Sequence, residues 1–295
     1  MDRTKIIAGL MASLVLSGCS VVTGKHVLTV GSKNFTEQVV LGEVIAQHLE
    51  RRLHQKVERR LNLGGTLLAH QALLNREIDL YPEYTGTALA AVLKQSTGTD
   101  PAAVLARVRS EYLRNFHVEW LDSLGIDNSF VMVVRGADAR TNHLETLTDA
   151  AKVAGGWELG VGYEFQQRAD GMASLDAMYH MKWKGSPKSM DLGLLYQAIG
   201  QNQVSMIAAN ATDGLLSKLD LKVLEDDKHA FPPYQVCIAA RQDQLQQVPG
   251  LREALLELSG KFTNQTMQQL NYQVDGEHLP VAKVAAEFLQ RAGLQ

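Results

Sequence analysis

The chain has 295 residues, and its 29 Lys and Arg stand against 32 Asp and Glu, giving a net charge of −3. This mild acidity argues against a nucleic-acid surface, which needs clustered basic residues. Only Cys19 and Cys237 are present, so a disulfide framework is excluded, and about 275 residues beyond an N-terminal leader exceed one ordinary hydrophobic core and predict two domains.

Arg3 and Lys5 open the chain, and residues 6–16 form an apolar run too short to span a bilayer. Leu16-Ser17-Gly18-Cys19 then resembles a lipobox. This implies an exported chain whose residues 1–18 are removed and whose Cys19 carries a lipid. An ordinary signal peptide with an incidental cysteine is the alternative. Loss of Asp2, Arg3 and Lys5 makes the remainder one unit more acidic. If Cys19 is acylated, no intramolecular disulfide can form, and the fold rests on its core.

Strand and helix signals then alternate, as in a parallel sheet. Residues 27–30 read as a strand, and Asn34 with Glu37 three residues on predicts a capped helix carrying Val40, Leu41, Val44, Ile45 and Leu49. The alternation continues with a strand at 57–63 and a helix at 67–74, then a strand at 78–81 and a helix at 87–93. Asp100-Pro101 opens a helix to about Phe116, with proline at its first position. A second set follows: strands at 129–135, 159–161, 204–208 and 222–224, with a helix at 194–199. Residues 234–240 read as a buried strand in which Cys237 is a packing residue. Helices near 251–258, 263–272 and 281–289 complete the chain. His70, on a helical pattern, is a surface or packing residue.

Two further patterns bear on function. Residues 78–87, Ile-Asp-Leu-Tyr-Pro-Glu-Tyr-Thr-Gly-Thr, place two tyrosines and threonines where a strand ends. Ligands of open α/β sheets bind beyond strand carboxyl ends, so the stretch reads as a ligand wall. By residue chemistry alone it reads equally as a core strand and a turn. A shift of 126 residues lays 68–73 over 194–199 and 78–80 over 204–206, placing Tyr84 on Asn210. That echo predicts two equivalent units facing across a cleft.

The stretch 78–87, Gly31-Ser32-Lys33-Asn34-Phe35-Thr36-Glu37-Gln38, Leu63-Gly64-Gly65-Thr66-Leu67, Phe231-Pro232-Pro233-Tyr234 and Leu270-Asn271-Tyr272 occur in an order similar to the glycine betaine/choline/carnitine-binding proteins of osmoprotectant ABC importers. The resemblance runs from about Val27 to the C-terminus. It implies an α/β, bilobed periplasmic-binding-protein fold of type II with a two-crossing hinge. Lobe I would be residues 27–128 plus 233–295, and lobe II residues 129–232. It further implies an extracytoplasmic substrate-binding lipoprotein that hands a quaternary ammonium ligand to permease and ATPase subunits. Membrane attachment would be through Cys19, and the protein would act as a monomer, without cofactor or metal and without nucleic acid.

A quaternary ammonium cannot donate a hydrogen bond, so aromatic faces must surround it. The resemblance assigns four ring positions of a tyrosine cage to Tyr84, Phe130, Asn210 and Tyr234. Phe130 keeps the ring face without a hydroxyl, and Asn210 has lost the ring. Asn210 then either faces a polar substituent of a larger ligand or is a turn residue before Thr212-Asp213. Lys33 and Arg168 match positions that hold a betaine carboxylate, Thr87 matches a polar contact, and Asn128 and Thr66 are weaker additions. Glycine betaine, choline, carnitine and a larger betaine such as ergothioneine remain open as ligands, as does a ligand-sensing lobe of a receptor. An enzyme is disfavoured: Gly160-Val161-Gly162 lacks the third glycine of a dinucleotide loop, and neither G-x-S-x-G nor H-E-x-x-H occurs.

Overall fold

The computed structural model describes residues 27–96 and 98–294, so Cys19 and the apolar leader lie outside the described residues. These residues form two five-stranded sheets. Strands β1 (Thr29–Gly31), β2 (Glu58–Arg60), β3 (Leu80–Tyr84) and β4 (Val118–Trp120) belong to the first sheet. Strands β5 (Phe130–Arg135), β6 (Leu159–Val161), β7 (Lys188–Ser189), β8 (Met206–Asn210) and β9 (Leu221–Leu224) form the second, and β10 (Val236–Arg241) returns to the first. The strand orders are β2-β1-β3-β10-β4 and β7-β6-β8-β5-β9. In each, three parallel strands are followed by an antiparallel one, β10 against β3 and β5 against β8.

Burial explains why the central strands read as apolar runs. Helices cover both faces of such a sheet, leaving no solvent face on which polar residues could alternate. Val236, Cys237, Ile238, Ala239 and Ala240 are all fully buried. Burial pushes the Cys237 thiol up to about 12, so it packs as a small apolar group. His70 is likewise a packing residue, edge-on to Tyr112 and Phe116, and burial lowers its pKa to about 4.

Helix Pro101–Phe116 begins as its sequence predicts: Asp100 accepts from the Ala102 amide at 3.0 Å and Pro101 takes the first turn. The predicted cap of helix Thr36–Leu53 does not form. Phe35 is the N-cap residue with no side-chain bond, and Glu37 is drawn into tertiary contacts instead. The helix buries Val40, Leu41, Val44, Ile45 and Leu49 and packs against the three C-terminal helices Leu251–Leu256, Asn264–Asp275 and Val281–Arg291.

The internal echo is structural. Helix Thr66–Leu74 with β3 and helix Leu192–Gly200 with β8 keep the 126-residue offset at both ends of both elements. Tyr84 and Asn210 are therefore the last residues of equivalent strands.

The chain leaves the first sheet between β4 and β5 and returns between β9 and β10. The two passages are bonded to each other: Asp127 bridges Gln235, the Val236 amide donates to the Ile126 carbonyl at 3.0 Å, and the Asn128 amide to the Tyr234 carbonyl at 3.1 Å. Elsewhere the two halves touch where Gly214 lies against Tyr272. A β-carbon on Gly214 would come within 2.4 Å of the Tyr272 nitrogen, so the approach requires glycine.

Candidate functional site

A cavity of about 690 Å³ lies between the two sheets, within the range of small-molecule sites. Lys33, Tyr84, Thr87, Asn128, Phe130, Arg168, Asn210 and Tyr234 all line it. Thr66 stands just behind, its hydroxyl accepting from Lys33 Nζ at 3.1 Å. Strand ends supply three of these groups: Tyr84 closes β3, Asn210 closes β8, and Phe130, which opens antiparallel β5, is paired with Asn210.

The rings are set by packing. Phe130 lies edge-on to Tyr234 at 5.3 Å and to Phe165 at 5.0 Å, while Phe35 stacks on Tyr84 at 6.1 Å. Gly86 admits the Tyr234 ring, since a β-carbon there would approach its Cδ1 and Cε1 to 2.9 Å. Cations already occupy ring faces. Lys33 Nζ is 4.7 Å from the Tyr84 centroid, and the Arg168 guanidinium is 5.1 Å from that of Phe130 and 5.5 Å from that of Tyr234.

Both cations are paired within the protein. Lys33 is fully buried and contacts Glu83 at 2.5 Å, and Glu83 also accepts from the Tyr81 hydroxyl at 3.1 Å. Arg168 presents its planar fork to Asp170 at 2.9 and 2.5 Å, with the Tyr234 hydroxyl donating to the same carboxylate at 2.6 Å. Burial opposes the arginine charge, but Asp170 outweighs it and the Arg168 pKa is raised. The fork that the resemblance gives to a ligand carboxylate is engaged by Asp170 here.

Glu37 joins three segments. It accepts from the Tyr84 hydroxyl at 2.7 Å and Asn128 Nδ2 at 2.9 Å, and it bonds the Thr212 hydroxyl. The Thr212 amide in turn donates to Asn128 Oδ1 at 3.1 Å. Burial pushes the Glu37 carboxyl up to about 7, opposed by these hydrogen bonds.

At the end marked by Asn210, the cavity is rich in acceptors. Asp213 accepts from the Tyr196 hydroxyl at 2.8 Å and from the Asn210 amide at 3.0 Å, and burial raises its carboxyl to about 6. Asn271, 2% exposed, donates to the Thr212 carbonyl at 2.9 Å, while its Oδ1 has no hydrogen-bond partner among the described residues.

Glu37 lies inside a quoted motif and Glu164 and Asp170 flank Arg168, yet no spacing rule marks them. Their roles come from contacts 47 to 175 residues away in sequence. The signal available was position: Asp170 follows Arg168 by two residues, and Glu37 opens a helix beside Lys33.

Two mixed α/β sheets, joined by paired crossings and enclosing a cavity lined from both sides, define the bilobed type II fold of extracytoplasmic binding proteins. Residues 26–291 match the substrate-binding domain of ABC-type glycine betaine transport systems, and the chain belongs to that family. It is 34% identical over 288 residues to the carnitine transport binding protein OpuCC of Listeria monocytogenes, covering 96% of this chain and 93% of that one. It is 33% identical to the ergothioneine transport permease/ergothioneine binding protein EgtU of Helicobacter pylori, covering 90% of this chain but 48% of that longer protein. A solved glycine betaine/carnitine/choline ABC transporter structure is 30% identical with a TM-score of 0.77, covering 90% of this chain and 99% of that one. The chain is thus the substrate-binding component of a quaternary amine ABC transporter. No helix among the described residues is long and apolar enough to cross a membrane.

Proposed function

We propose that the cavity captures a quaternary ammonium compound in a cage of Tyr84, Phe130 and Tyr234, and that residues 27–128 plus 233–295 and residues 129–232 act as the two lobes that close on it. The observation that carries this reading is the placement of Lys33 and Arg168 over those ring faces: the rings form a cation-binding surface, each worth about 0.5–2 kcal/mol according to desolvation. Closure would stabilise the state that a permease recognises, because ligand contacts reach both lobes only when they are together.

Isothermal titration against choline, glycine betaine, carnitine and ergothioneine should give binding below millimolar concentration for at least one of them. Saturable binding of an uncharged sugar or an ordinary amino acid, with none of these four, overturns the reading. A larger betaine such as ergothioneine is the second reading. Cavity size and the polar wall at Asn210 and Asp213 favour it, as does the 33% identity to the Helicobacter pylori relative.

We further propose that Cys19 carries the lipid that holds the chain at a membrane. Cys19→Ala should move the protein from the membrane fraction to the soluble one, and unchanged sedimentation with membranes counts against the anchor.

A further inference from the structure

Glu164, in helix Tyr163–Gln167 on the second sheet's side, reaches across the cavity mouth to the first. Its Oε1 accepts from the Thr66 amide at 2.7 Å and its Oε2 from the Thr66 hydroxyl at 3.2 Å. That hydroxyl also accepts from Lys33 Nζ at 3.1 Å, and Arg168 Nη1 lies 3.6 Å from Glu164 Oε2. Thus Lys33, Arg168 and Thr66, the groups suited to hold a ligand's carboxylate, converge on a carboxylate of the protein. Gly65 makes room for it, since a β-carbon there would sit 2.5 Å from Glu164 Oε1. Burial pushes the Glu164 carboxyl up, but the charges of Lys33 and Arg168 and the two Thr66 bonds outweigh it and hold the group below its ordinary range.

The remaining charges agree. Lys33 and Arg168 are the basic residues lining the cavity, and each has a further carboxylate partner, Glu83 and Asp170 respectively. Elsewhere the lining offers acceptors: Asp213, Asn210 and the unbonded Oδ1 of Asn271. A ligand carboxylate entering beside Glu164 meets a like charge where its counter-charges are already engaged.

We propose that Glu164 is a specificity-determining residue, a half-exposed carboxylate of the protein held by the groups that would otherwise face a ligand carboxylate, which makes the site prefer a quaternary ammonium cation with a neutral, hydrogen-bond-donating tail over a zwitterionic betaine. The proposal rests on the quaternary ammonium reading above and narrows it. A cationic ligand leaves Glu164 in place and gains from its charge. A betaine must displace it or approach it.

Choline and glycine betaine make the test, because they share the trimethylammonium group and differ in a hydroxymethyl against a carboxylate. Titration of the purified protein should show choline bound more tightly by roughly tenfold or more. Glu164→Gln, which keeps the shape and an acceptor for the Thr66 amide, should shrink or invert that ratio, chiefly by improving glycine betaine. Glu164→Asp keeps the charge and should keep the preference for choline. A ratio unchanged in Glu164→Gln, or equal weakening of both ligands, overturns the proposal and leaves Glu164 as a fastener between the halves. So does a wild-type protein that prefers glycine betaine. If wild type binds neither compound nor any other quaternary amine, the underlying reading fails instead.

Discussion

Tyr84→Ala is expected to weaken choline and glycine betaine alike, by about tenfold to a hundredfold, and to lower stability by about 3–5 kcal/mol. The ring is 4% exposed, lies under Lys33 Nζ and stacks on Phe35, and its hydroxyl donates to Glu37 at 2.7 Å. Alanine removes a cage face, opens a void in the core and deprives Glu37 of one of its three partners. Because both ligands present the same cation, the loss should not discriminate between them. Tyr84→Phe separates the contributions: it keeps the face, and the missing hydrogen bond to a buried carboxylate costs about 1–3 kcal/mol of stability. Titration and denaturant melts on the two variants check this. A Tyr84→Ala protein that melts early yet binds both ligands at wild-type affinity removes Tyr84 from the cage and leaves it in the core.

The second large effect is a dependence of stability on pH traced to Glu37. Burial raises its carboxyl from 4.5 to about 7, against hydrogen bonds from Thr212, Tyr84 and Asn128, with the charge of Asp213 pushing further up. The folded protein therefore binds this proton more tightly than the unfolded chain. Between about 4.5 and 7 this carboxyl's contribution to stability falls as pH rises, and above that range it is flat. The difference is on the order of 3 kcal/mol for a shift of this size. Glu37→Gln imitates the protonated group, and its amide can donate to the Thr212 hydroxyl while its oxygen accepts from Tyr84 and Asn128. The variant is expected to be more stable than wild type at pH 8 and to lose most of the slope between pH 5 and 7. Asp213, raised to about 6, adds a slope of the same sign, and His70, lowered to about 4, one of the opposite sign, so the measure of Glu37 is the difference between wild type and variant. Urea melts of both proteins across this range measure it, and coincident slopes assign the titration to other groups.

Much of the fold was legible because the signals are local. Pro101 behind Asp100, the apolar run 236–240 of β10 and the 126-residue echo each predict an element from a few neighbouring residues, and each element is present. Short helices such as Tyr163–Gln167 and Met172–Tyr179 lack a long apolar period and left no such trace. In the site, eight of the cavity-lining residues were legible through the resemblance. Their ionic partners were not, because Glu83 and Asp170 acquire meaning only when folding sets them beside Lys33 and Arg168. The Asn34 and Glu37 pair shows the same limit from the other side. A capping spacing is a local preference, and burial of Glu37 among Tyr84, Asn128 and Thr212 overrides it.

The bonding of the two crossings to each other gives the molecule a particular kind of joint. Two independent tethers would let one half swivel, slide and tilt against the other. A pair laced together at Asp127 and Gln235, with bonds on either side, yields across its thin dimension and resists shear along its length. If the two halves move, such a joint would leave a swing about one axis, like that of a door leaf. Every residue of the second half would then travel on a fixed arc, and Glu164 would meet Thr66 on the same stroke as Thr212 meets Glu37. A substitution that loosens the lacing would leave each of those contacts chemically intact and still spoil their timing.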